Sequence, residues 1–152
     1  EVDAQDVDGR DAVVLQRQRL RRIVAEQFHP VHAERFEDAG GNREVAAIRI
    51  EAEGRVFAFS ADTGPDVDLN PVARDADLFL CESGVFSRRA DPATWGHLAP
   101  DEAGAIARQA GVNRLAITHI WHGYDRAAMV QAAAEAFGGP TTLATERQVY
   151  VV

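Results

Sequence analysis

The chain contains one cysteine and no lysine in 152 residues. A lone cysteine, Cys81, excludes an internal disulfide framework and any zinc site built from cysteines alone, so a metal here would need His, Asp and Glu donors. All sixteen basic residues are arginine, set against 24 acids, and the formal charge is −8. Binding to a phosphate backbone is driven largely by counterions that basic residues release, so a chain this acidic is not built as a general nucleic-acid surface. No apolar run approaches the length of a membrane span, and no basic-then-apolar leader opens the sequence. The expectation is a soluble, cytoplasmic protein with no membrane contact. The first residue is Glu1 rather than methionine, as in a cut or processed piece. With 46% apolar residues the chain has enough for one core of single-domain size.

The stretch that organises the rest is Val56-Phe57-Ala58-Phe59-Ser60-Ala61-Asp62-Thr63-Gly64-Pro65. β-Branched and aromatic residues predict a strand, and Thr63-Gly64-Pro65 stops it at once. Asp62 therefore stands at the strand's carboxyl end, where open α/β sheets bind their ligands. The plainer reading is an Asx turn, in which Asp62 only caps the backbone beyond it.

Taken in order, residues 1 to 22 set Asp3, Asp6, Asp8 and Asp11 before Arg17, Arg19, Arg21 and Arg22; a mobile or edge segment with a solvated charged face is expected. The pattern from Arg22 to Val31 suggests a strand, with a helix over Val13 to Ala25 as the alternative. Gly40-Gly41-Asn42 marks residues 33 to 44 as a loop. A hairpin follows, Val45 to Glu51 and Arg55 to Ser60. Beyond Asp62 helix and strand alternate: a short helix over Leu69 to Asp75, a buried strand from Ala76 to Cys81, and a helix opening at Pro100. Ala103, Ile106, Ala107 and Ala110 line one face of that helix, and Gly111 ends it. A strand from Val112 to Thr118, a helix from Asp125 to Phe137, and short strands near Leu143 and Val149 to Val152 complete the chain.

Three successive units thus place an ionisable residue just past a strand: Asp62, Glu82 and His119. His97 opens the helix between the last two. Histidine beside carboxylates is a usual divalent-metal set, although polar loops on an ordinary α/β core give single instances of the same pattern. His122 reads as a surface or packing residue beside Trp121. Trp95 either covers the site or fills its own loop, His29 before Pro30 reads as structural, and Cys81 as a small buried strand residue.

From about His29 to Val152 the sequence resembles the second half of the metallo-β-lactamase fold hydrolases, in particular their ribonuclease Z-like branch. The resemblance rests on Phe59-Ser60-Ala61-Asp62-Thr63-Gly64, on Ala76 to Glu82 against a strand ending in His-Glu-Ala-Thr, on His97-Leu98-Ala99-Pro100, and on Arg114 to His119 against Leu-Thr-His. It implies half of an αββα sandwich, of α/β class, whose edge holds two divalent metal ions, usually zinc, and a metal-activated water that attacks a phosphodiester or another hydrolysable bond. Asp62 would bridge the ions, His119 would complete one site, and His32, with His29 as the fallback, would be the ligand before the hairpin. Glu82 would orient His97, which would stabilise the scissile phosphate or protonate the leaving group. Ala61 stands where the family has glycine, Cys81 where it has histidine and Ala99 where it has threonine. The family's HxHxDH stretch, which supplies most metal ligands, is missing from these residues. The expected partners are therefore a missing N-terminal half or a second copy of the chain, with RNA or another phosphodiester as substrate. The chain by itself is expected to be inactive. An uncovered sheet face built from Ile48, Phe57, Phe59, Leu80 and Ile117 should make it associate.

Overall fold

The computed structural model describes residues 12–14, 29–37, 44–86 and 96–152, with residues 12–14, 29–37 and 44–45 described by their backbone. The elements run β1 (Ala12–Val14), β2 (His29–Glu37), β3 (Glu44–Ala52), β4 (Arg55–Phe59), α1 (Asn70–Ala73), β5 (Leu78–Glu82), α2 (Pro100–Gln109), β6 (Leu115–Thr118), α3 (Arg126–Phe137), β7 (Thr141–Leu143) and β8 (Val149–Val151). Six strands form one sheet in the order β2-β3-β4-β5-β6-β7, and β1 pairs with β8 in a separate two-stranded ribbon. The first three strands are antiparallel neighbours, whereas β4 to β7 are parallel. That change follows from the connections: a two-residue turn permits only an antiparallel return, and the longer crossovers through α1, α2 and α3 permit parallel strands. The hairpin turn is Glu53-Gly54, both with positive φ (51° and 75°), as a tight twisted hairpin requires.

The expected loop over residues 33 to 44 is corrected in its first half. β2 continues through Glu37 and pairs with β3 down to Glu44. Its sequence is too polar to announce a strand because it is the sheet's edge, where Pro30 is also tolerated. Residues 1–11, 15–28, 38–43 and 87–95 lie outside the described residues, and with them most of the charged opening, the segment from Arg22 to Phe28, the turn signal at Gly40 and Trp95.

All three helices cover one face of the sheet. Ala58, Phe79, Cys81, Leu115 and Ile117 pack there against Val72, Leu98, Ala103, Ala107, Met129 and Ala133. Gly104 lets α2 and α3 approach closely, since a Cβ there would stand 2.3 Å from the Ala133 carbonyl. Asp125 caps α3 through the backbone N–H groups of Ala127 and Ala128, and Gly138 ends it at φ 77°. On the other face, Phe57, Leu78 and Ala116 are buried with Tyr150 of β8, while Ile50, Phe59 and Leu80 around them are half-buried. Ile117 does not belong to that face; it pairs with Cys81 beneath the helices. No described helix is long and apolar enough to cross a membrane.

Candidate functional site

The parallel strands end together, and the chain leaves them through four segments that converge. β4 exits through Ser60-Ala61-Asp62. Ser60, fully buried, donates from Oγ to the Ala61 carbonyl (2.7 Å) and accepts there from the Glu82 N–H (2.9 Å), which ties the ends of β4 and β5 together. Ala61 adopts φ 56°, a left-handed conformation that costs an L-residue about 1–2 kcal/mol and explains why glycine suits this position. His119, just past β6, is likewise left-handed at φ 60°. Strain of this kind is kept where the surrounding fold demands it, commonly at functional sites.

Glu82 is fully buried and occupied on both oxygens. Oε1 accepts from the backbone N–H of Thr63 (3.1 Å) and of Leu98 (3.0 Å) and lies 3.2 Å from His97 Nδ1; Oε2 accepts from the Gly84 N–H (2.7 Å). Burial pushes this carboxyl up to about 8, against the pull of those backbone donors, and the Asp62 charge adds to the rise. His97 is held below the usual histidine range, first by burial and then by His119, with Asp62 acting the other way. Its ring meets Trp121 edge-on at 5.0 Å between centroids and His119 at 5.2 Å.

Asp62 and His119 form the outer pair, with Asp62 Oδ1 3.1 Å from His119 Nδ1 and side chains 59% and 37% exposed. Neighbouring oxygen and nitrogen ligands on a tetrahedral zinc ion lie about 3.3 Å apart, so the chemistry, spacing and openness of this pair fit a divalent metal. Glu82, His97 and His119 also bring donor atoms within 4.8 Å of one another. Glu82 is nonetheless a poor ligand, because an ion would have to displace the backbone N–H groups it already satisfies.

Of the residues singled out from the sequence, the fold thus assembles Asp62, Glu82, His97 and His119. His32 stands opposite Arg49, which stands opposite Ala58, four residues before Asp62. That register sets the His32 backbone two strands across from β4 and level with Ala58, one residue before the strand's end. His29 is paired with Glu51. The side chains of both histidines are outside the described residues. Two site residues were missed by reading the sequence. A Cβ at Gly84 would meet Trp121 Nε1 at 3.0 Å and both Glu82 Oε2 and His97 Cβ at 3.2 Å, so glycine is what lets these three approach. A glycine directly after a buried strand was the available signal. Trp121, weighed only as a neighbour of His122, is the wall against which His97 rests. Cys81 is free and buried, and burial pushes its thiol up, as expected of a packing residue.

Residues 1–120 match a family profile described as Beta-lactamase superfamily domain. The chain belongs to that family, and with its metallo-β-lactamase fold and its relatives it falls in the ribonuclease Z-like branch. A ribonuclease Z of Thermobifida fusca is 39% identical over 114 residues, which cover 72% of this chain and 36% of that protein. The metallo-β-lactamase fold protein YhfI of Bacillus subtilis superposes at TM-score 0.71 with 24% identity, over 79% of this chain and 48% of its own. The short form of human tRNase Z superposes at 0.61 with 22% identity, over 84% and 44%. These two structures establish the fold. The chain spans about a third of the curated relative's length and under half of each solved chain.

Proposed function

We propose that this chain is the C-terminal half of a metal-dependent phosphodiesterase of ribonuclease Z type, acting on RNA or a related phosphodiester. What supports this reading is the convergence of Asp62 and His119 with Glu82 and His97 at one sheet edge, each pair closed to about 3 Å. Asp62, its side chain 59% exposed, and His119 are donors this half offers to two divalent ions, zinc by the donor chemistry, with His32 as the ligand before the hairpin. The ions, when bound, supply Lewis acidity toward the phosphoryl oxygen. Glu82 fixes the His97 ring through Nδ1, so that Nε2 is the nitrogen presented to substrate, where it steadies the phosphate or passes a proton to the departing oxygen. The remaining ligands and the cover for the half-buried face come from the rest of the fold, as a preceding segment or a partner chain. A single, buried cysteine suits the cytoplasm. The same half-buried face favours a second reading, a non-catalytic half-domain that pairs with itself or a partner.

In a longer protein that contains this stretch, Asp62→Ala should abolish metal-dependent cleavage of a phosphodiester, and His97→Ala should slow it by roughly 10²–10⁴-fold. Parent-like cleavage by the Asp62 variant would overturn the assignment. This chain by itself should show no cleavage.

A further inference from the structure

Beside His97 lies an aromatic pair that the roles above leave unexplained. Past Glu82 the chain turns at Gly84, buries Val85, whose N–H donates to the Leu98 carbonyl (3.3 Å) just before α2, and leaves Phe86 exposed. The segment after His119 follows the same edge: the Trp121 N–H donates to the Gly84 carbonyl (3.2 Å) and the Tyr124 N–H to the Trp121 carbonyl (3.4 Å). The Phe86 and Tyr124 rings thereby stand 6.3 Å apart at a tilt of 33°. Phe86 is 42% exposed, and among the described residues the other large apolar side chains left exposed are Val149 and Val151 of the β8 ribbon. Phe86 follows by two residues a glycine whose Cβ position lies 3.2 Å from His97 Cβ, so the pair stands on the same edge of the sheet as that ring.

The chain's charge makes an aromatic surface here informative. With 24 acids against sixteen arginines and no lysine, the chain carries a net charge of −8. Arg49 is held by Glu51 and the carbonyls of Val72 and Arg74, Arg55 by Asp77, and Arg114 by the Val151 carbonyl. Stacking does not depend on charge, and every base offers a planar face. Resting on the phosphodiesterase reading above, we propose that Phe86 and Tyr124 form a stacking shelf for the base of the nucleoside next to the scissile phosphate. The substrate class is then a base-bearing phosphodiester rather than a phosphate ester of arbitrary substituent.

Saturation-transfer NMR of this chain with adenosine monophosphate and with ribose 5-phosphate tests the shelf without needing catalysis. The adenine H2 and H8 protons should receive the strongest saturation. Phe86→Ala and Tyr124→Ala should each weaken the nucleotide's binding about tenfold and leave ribose 5-phosphate unchanged. Phe86→Trp should keep the affinity, and Phe86→Leu, apolar but not planar, should not. Equal affinity for the two ligands in the parent chain, or nucleotide binding unchanged in both alanine variants, would overturn the shelf. Failure of the phosphodiesterase reading would show separately, as absent metal-dependent cleavage by a longer protein that contains this stretch, with the base contacts intact.

Discussion

Two histidine–carboxylate pairs of almost the same length, 3.2 Å for Glu82–His97 and 3.1 Å for Asp62–His119, lie side by side in different surroundings. Glu82 is fully buried and accepts three backbone N–H bonds besides its histidine, whereas Asp62 is mostly exposed. Distance therefore says little about role. What separates the pairs is how much of each carboxylate's hydrogen-bonding capacity the protein itself consumes. The inner pair holds chain segments and a ring in place; the outer pair keeps lone pairs for a ligand.

Removing each acid gives the largest contrast. Glu82→Ala would strand three buried N–H groups and a histidine, and should cost on the order of 3 kcal/mol or more in urea unfolding. Asp62→Ala, at an exposed position, should change stability by no more than about 0.5 kcal/mol while it removes metal binding. Similar unfolding curves for the two variants would erase the distinction.

The pH dependence offers a second, smaller handle. Glu82 has a folded value of about 8 against an ordinary 4.5, so between those limits the folded chain binds more protons than the unfolded one. Its contribution is fully present below 4.5 and is lost as pH rises through 8. His97, held below 6.5, works oppositely, adding stability as pH rises toward that value. Above 6.5 Glu82 acts without that opposition, and metal-free stability should fall by about 1–2 kcal/mol between pH 6.5 and 8. A flat stability profile that Glu82→Gln leaves unchanged would contradict the burial account. The smallest effect concerns the left-handed residue before Asp62: Ala61→Gly should raise stability by up to about 1 kcal/mol, measured as the shift in unfolding midpoint.

Much of this site was legible from sequence because its residues follow apolar strands, where a polar side chain stands out. Asp62, Glu82 and His119 could each be found that way, and His97 from its place at the opening of the Pro100 helix. Register could not be found so: β2 runs on through residues expected to be loop, because its polar edge character hides the strand, and its pairing sets His32 opposite Arg49. Nor could the face of Ile117 be assigned. Leu115, Ala116 and Ile117 are all buried, as in a parallel strand covered on both sides, so no alternation distinguishes the faces. Glu82 was read only as the partner of His97. Its three backbone contacts join the segments after β4 and β5 to the start of α2, a tertiary fact that no spacing encodes.

The division of labour between the two pairs is tested most directly by following the imidazole nitrogens in ¹H–¹⁵N spectra as zinc is added to this chain. The His119 ring nitrogens should shift, weakly because the ligand set is open, and Asp62→Ala should remove the shift while His97 keeps its metal-free signals. A metal-dependent shift at His97 that survives Asp62→Ala would place the ion in the cluster of Glu82, His97 and His119, and would contradict the assignment of the inner pair to positioning.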